Sequence, residues 1–225
     1  MDTGIVMTRT TKIWLGVALG VASSLLLAGC SVFGYRGGTE TPDYTVVDQV
    51  RDLEIRDYAP RLAADTVVQA ATVEKARKQG FKRLAGYIFG DNQAGEEMAM
   101  TAPVAQSSKK IEMTAPVAQT ATDRGWRIRF FLPGRLTMAT APKPTSDTVT
   151  LHEVPSQTYA VSRFSGSRGE DAVNTHIAQL TQTLADSRWE TTGQAIAWFY
   201  DPPWTLPFLR RNEVAVPVEQ KEAET

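Results

Sequence analysis

Few side chains here are equipped for chemistry of their own. Cys30 is the sole thiol in 225 residues, and His152 and His176 are the two imidazoles. Met98, Met100 and Met113 lie close together, and thioethers are soft ligands suited to Cu(I). Yet Met98, Met100, Ala102 and Val104 recur at period two, as one apolar strand face does, so packing in a core is the simpler expectation for them. His152 stands in a strand-like stretch (TLHEV) and His176 at the edge of a helical stripe, positions that suit packing or surface as well as iron. The chain holds no G-x-S-x-G, no H-E-x-x-H and no phosphate loop, and its cysteine has another use, so an enzyme is not expected.

That other use is lipid. Cys30 ends the string Leu27-Ala28-Gly29-Cys30. A short basic segment with Arg9 and Lys12 precedes it, followed by an apolar run over residues 13–28. Basic segment, apolar core and small residues before the cut make a secretory signal. The L-A-G-C ending resembles a bacterial lipobox, which implies cleavage of residues 1–29 and acylation of Cys30. The apolar run is short against the roughly 20 residues that span a bilayer. The expectation is a protein tethered by acyl chains, on the periplasmic face of the outer membrane since Ser31 follows the cysteine. Losing Asp2, Arg9 and Lys12 leaves 22 basic and 24 acidic residues. Such a balance offers no nucleic-acid footprint, and with its thiol acylated the protein has no disulfide to lean on.

The remaining elements must form one fold. Residues 30–43, rich in Gly, Ser and Thr, read as a flexible spacer, and 219–225 as a frayed polar tail. Between them, 44–218 forms the folded domain. Strands are expected over 44–50 and 53–58, then 62–71, 126–132, 149–154, 159–164, 196–200 and 214–218. A helix over 73–89 carries the stripe Val73, Ala76, Gly80, Phe81, Leu84 and Ile88, flanked by Arg77, Lys78, Lys82 and Arg83. A second helix runs to about Asp186 behind a Ser167/Glu170 capping box. The string Met-Thr-Ala-Pro-Val-Ala-Gln occurs twice, at 100–106 and 113–119, and reads as a hairpin closed by residues 107–110. Strand pair, helix, strand pair, repeated, gives an α+β fold with pseudo-twofold symmetry.

In order along the chain stand LEIRDY (53–58), YIFGDN (87–92), the MTAPV blocks, FFLP (130–133), EVP (153–155), FSG (164–166), YDPPW (200–204) and RRNEV (210–214). Together these strings resemble the SOUL, or haem-binding-protein, family over nearly all of 44–218. The resemblance implies a distorted antiparallel β-barrel with two flanking helices. It also implies an apolar cleft for haem or another tetrapyrrole beside the first helix. Carried over by position, that cleft is walled by Lys78, Phe81, Leu84, Ala85 and Ile88 and faced by Pro203, Trp204 and Thr205, with Arg210 and Arg211 nearby. Some family members have a histidine, a candidate iron ligand, where this chain has Asp57. The resemblance therefore implies non-covalent haem binding without a strong axial ligand.

Physical chemistry sets the scale of such binding. Burying ~400 Å² of porphyrin at about 25 cal/mol/Å² gives on the order of 10 kcal/mol gross, and association costs several kcal/mol of it. Micromolar affinity follows. The alternatives are a binder of another hydrophobic molecule, an envelope interaction protein, or a small hydrolase using Asp201 and Glu213. The last requires raised carboxyl pKa values in a closed pocket.

Overall fold

The computed structural model describes residues 39–110 and 124–221. Its strands are β1 (Tyr44–Val50), β2 (Leu53–Tyr58), β3 (Arg61–Gln69), β4 (Val104–Lys110), β5 (Arg124–Phe131), β6 (Thr150–Val154), β7 (Gln157–Phe164), β8 (Trp189–Thr191), β9 (Ile196–Phe199) and β10 (Asn212–Gln220). Two helices, α1 (Val73–Ile88) and α2 (Glu170–Ala185), lie among them. The named strands all pair antiparallel, in the order β1-β2-β7-β10-β9-β4-β5-β3-β6, with β8 on the end of β10. The sheet curls into a half-barrel.

The pseudo-symmetry lies in the pairing. The first unit is β2, β3, α1, β4, β5 and the second is β6, β7, α2, β9, β10. The first strand of each unit pairs with the second strand of the other, β2 with β7 and β6 with β3. The turn residues explain the exchange. Two-residue hairpins need positive φ at their centre, and proline holds φ near −65°. Ala59-Pro60 and Pro155-Ser156 therefore send consecutive strands apart. Arg51-Asp52, with Arg51 at φ 56°, lets β1 and β2 pair directly.

Period two sorts the sheet's side chains onto two faces. Leu53 and Ile55 of β2, Ala197 and Phe199 of β9, and Val214 and Val216 of β10 pack with Val173, Leu180 and Leu184 of α2. Leu62 and Ala64 of β3 and Ile128 and Phe130 of β5 pack with Leu84, Tyr87 and Ile88 of α1. Both helices thus cover the outer face. The inner, concave face carries Tyr58, Ala63, Phe131, Tyr159, Trp198 and Ala215, and on the same strands Arg56, Arg61, Asp65, Arg129 and Glu213. Gly80 lets α1 approach β5, since a Cβ there would lie 2.4 Å from Ile128 Cγ1.

Several expectations are corrected. Residues 107–110 do not close a hairpin. They belong to β4, paired with Arg124–Arg127 of β5, and Val104–Gln106 also pair with β9. Val104–Gln106 are thus paired on both sides, and the second copy, Met113 included, lies outside the described residues. Met98 is buried in the α1 core and Met100 packs against it, as core side chains do. The Ser167 box does not form. Gly169 is the N-cap of α2, and the Ser167 hydroxyl accepts from the Gly169 N–H. The spacer is tied down from Glu40, whose carbonyl accepts from Ala102 N–H and whose carboxylate accepts from Gly134 N–H. At the other end β10 runs two residues past Val218, to Gln220. Cys30 and residues 1–29 lie outside the described residues. Among the described residues, no helix is long and apolar enough to cross a membrane.

Candidate functional site

The residues singled out on α1 divide in two. Leu84 and Ile88 are fully buried against β3 and β5 and belong to the core. They do not line a slot, because the stripe that holds a helix on a sheet is consumed by that contact. Ala85 is half-buried, and Lys78 and Lys82 are exposed. Phe81 keeps 41% of its surface exposed while its ring edge meets Phe130 at 5.3 Å between centroids. It is an apolar plate on the helix's outer side, anchored from beneath.

The loop before β10 brings two more. Trp204 is 63% exposed and Phe208, in the 3₁₀ turn Pro207–Leu209, is 70% exposed. Single exposed apolar residues are ordinary, but large aromatics concentrated on one loop are a recognition feature. Arg210 folds this loop. Its guanidinium donates to the carbonyls of Thr205 (2.8 Å), Pro203 (2.9 Å) and Gly166 (3.5 Å). Thr205 is fully buried and not a wall residue.

Helix and loop are joined by arginines. Arg77 of α1 donates to Gln106 Oε1 (2.9 Å) and to the Arg168 carbonyl (2.9 Å). Arg168 donates to the Asp201 carbonyl (3.0 Å), and both guanidinium groups lie over Phe199, at 4.7 and 5.7 Å. Burial first, then the charges of Arg77 and Arg210, pull the Arg168 pKa down to about 10. Burial lowers Arg77 as well. Three guanidinium groups thus stand within mutual influence between α1 and the aromatic loop, and the opposing charge felt by Arg168 is Asp201. Arg168 escaped sequence reading because it lies in a connector whose neighbours are set only by the fold.

The concave face carries a different set. Glu213, with no exposed surface, accepts from Arg56 (2.9 and 3.2 Å), from the Tyr200 hydroxyl (2.7 Å) and from Arg211 (2.9 and 2.7 Å). Burial works to raise its pKa, but Arg56, Arg211 and Tyr200 prevail and hold the carboxyl below its ordinary value. Burial pushes Tyr58 up to about 12 and raises Tyr200 further. A hydrolase built on Asp201 and Glu213 needs a carboxyl shifted the other way. Asp65 holds Arg129 (2.6 and 2.8 Å) and His152 Nε2 (2.9 Å). His176 is stacked on Phe164 at 4.1 Å.

A family model described as "SOUL heme-binding protein" matches residues 39–217. The chain belongs to the SOUL heme-binding protein family. Among its relatives, Heme-binding protein 1 of Xenopus tropicalis is 29% identical, over 72% of this chain and 80% of the relative. Heme-binding protein 2 of Mus musculus is 26% identical, over 72% and 75%. The EcmrR C-terminal domain superposes with a TM-score of 0.56 over 79% of this chain and 99% of that one. A hydrolase from Listeria innocua gives 0.51 over 77% and 94%. Both structures are 10% identical to this chain, a likeness of fold alone.

Proposed function

We propose that this protein binds haem, or a flat tetrapyrrole like it, non-covalently on its outer face between α1 and the loop at 202–210. The observation that carries the reading is the arginine cluster Arg77, Arg168 and Arg210, which links α1, bearing exposed Phe81, to the loop bearing exposed Trp204 and Phe208. A tetrapyrrole presents a flat apolar plate with carboxylates along one edge, and that is the complement of Phe81, Trp204 and Phe208 beside three guanidinium groups. Family membership points to the same ligand class. The fit is to an open face rather than a closed pocket, in keeping with micromolar rather than nanomolar affinity. Haem when bound supplies the iron; this chain's residues stack the ring and hold the carboxylate edge. In this reading neither imidazole serves the iron: His152 Nε2 either donates to Asp65 (2.9 Å) or accepts from Arg129 (2.8 Å), and His176 is stacked on Phe164.

The domain is carried, in this reading, on acyl chains at Cys30 in the cell envelope. Two or more chains make such an anchor stable, at about 0.8 kcal/mol per buried methylene. Labelled palmitate tests the anchor: the chain incorporates it and Cys30→Ser does not. Incorporation by the variant refutes the anchor. Haemin titration followed in the Soret band tests the ligand. A saturable shift at micromolar haemin that weakens in Arg168→Ala supports the site. The absence of a shift at tens of micromolar removes haem and favours another apolar ligand or a protein partner.

A further inference from the structure

The concave face holds an arginine that its surroundings satisfy only in part: Tyr159 meets one side of it. Arg61, at the start of β3, has its guanidinium between two rings, 4.3 Å from the centroid of Tyr58 and 4.5 Å from that of Phe131. Its Nε and Nη2 are shielded from solvent and have no hydrogen-bond partner among the described residues. The Trp198 indole N–H nearby is in the same condition. Burial lowers the pKa of Arg61, with Arg129 adding to the effect while Tyr159 and Tyr58 oppose it. Unsatisfied buried donors are costly, by about 1–3 kcal/mol each and more for a charged group.

Two cavities meet at this side chain. One of about 80 Å³ is walled by Tyr58, Trp198, Tyr200 and Arg211. The other, of about 380 Å³, is walled by Leu62, Phe131, Leu132 and Leu136. Both share Arg61, Thr41 and Pro42. The first is aromatic and supplied with donors; the second mixes apolar walls with Glu40, Asp43 and Thr101. Glu40 is engaged by the Gly134 N–H. Arg211 is already spent on Glu213, so the unmatched donors are those of Arg61 and Trp198. The rings over its two planes leave the guanidinium its edge for recognition. The free Nε–Nη2 edge is the one with which Arg129 holds both oxygens of Asp65, the bidentate arrangement that carboxylates favour.

We propose that the rim of the sheet at the start of β3, where Arg61 and Phe131 of the concave face meet Leu62 and Leu136 of the outer core, is a second ligand site, for a small amphiphilic carboxylate. The acid group lies on the Nε–Nη2 edge of Arg61, and its apolar chain occupies the cavity beside Leu62, Phe131 and Leu136. The site is independent of the tetrapyrrole face, and neither reading depends on the other.

The test is calorimetric titration of octanoate into the purified, detergent-free chain. It is run at two temperatures so that the heat-capacity change of apolar burial keeps the signal from vanishing at both. Octanoate is expected to bind at least ten-fold more tightly than 1-octanol or octylammonium, a comparison made on the wild type alone. Arg61→Met, which keeps an apolar side chain between the rings, is expected to lose at least ten-fold in octanoate affinity. Arg61→Lys, which keeps charge but not the fork, should fall between. Saturating octanoate should leave the haemin titration unmoved. Equal binding of acid and alcohol, preference for the ammonium, undiminished binding by Arg61→Met, or no octanoate heat at either temperature up to millimolar concentration would overturn the proposal.

Discussion

The two faces of the curled sheet put charge to opposite uses. On the concave face Arg56, Arg211, Tyr200 and Glu213 are matched to one another, with carboxylate oxygens and donors in hydrogen-bond register. On the outer face, between α1 and the 202–210 loop, Arg77, Arg168 and Arg210 donate mainly to backbone carbonyls. Carbonyls satisfy the donors but leave the positive charge standing. Matched charge builds a fold and unmatched charge waits for an anion. Substitutions on the first face should therefore be read out as stability, and on the second as binding.

The largest effect should come from Glu213→Ala, which strands Arg211 beside a buried gap and leaves Arg56 with Glu54 as its one carboxylate partner among the described residues. Removing one member of a buried ion pair costs about 3–5 kcal/mol, and denaturant melts should show it. The same carboxyl gives an acid-side dependence. Its folded pKa is lowered, so its contribution is complete above the unfolded carboxyl value and is lost as pH falls through the folded one. Melts of wild type and Glu213→Gln at falling pH should converge. Curves that stay parallel would contradict the matched-charge account.

Next comes Leu84→Ala. As a core residue it should cost about 2–5 kcal/mol while the folded fraction binds haemin as before. A normal melt with lost binding would return Leu84 to the slot. Gly80→Ala follows. The new Cβ meets Ile128, and overpacking of this kind costs about 1–3 kcal/mol, partly offset by the roughly 1 kcal/mol that alanine gains over glycine in a helix. The smallest effect belongs to Lys78→Ala, an exposed rim cation whose loss should weaken haemin binding only slightly, in the range of about 0–1 kcal/mol.

What the sequence could show follows from this contrast. β1 and β2 were legible to the residue because their alternation is interrupted by a two-residue turn, and α1 was legible to within one position because its stripe is long. β8 has three residues, too few for a period to register. The MTAPV repeat suggested a local hairpin, yet β4 lies between β5 and β9, and no spacing rule reports a partner some ninety positions away. The site was half legible. Phe81 and Trp204 stand out by type and position, whereas Leu84 and Ile88 share a stripe whose use, core or slot, only the sheet beneath decides. Glu54, Arg56 and Asp65 alternate with apolar neighbours like a solvated face. A sheet that curls turns that face inward, and the pairing of Arg56 with Glu54 and Glu213 and of Asp65 with Arg129 becomes visible only then.

The most direct measurement is a Soret-band haemin titration of wild type, Phe81→Asp and Arg168→Ala, each checked by circular dichroism. The outer-face account predicts a saturable micromolar shift in the wild type. It predicts none in Phe81→Asp, where a carboxylate would be desolvated against the ring without a partner, and an intermediate loss in Arg168→Ala, all with the fold intact. Unchanged binding by a folded Phe81→Asp would place the ligand elsewhere and contradict the claim.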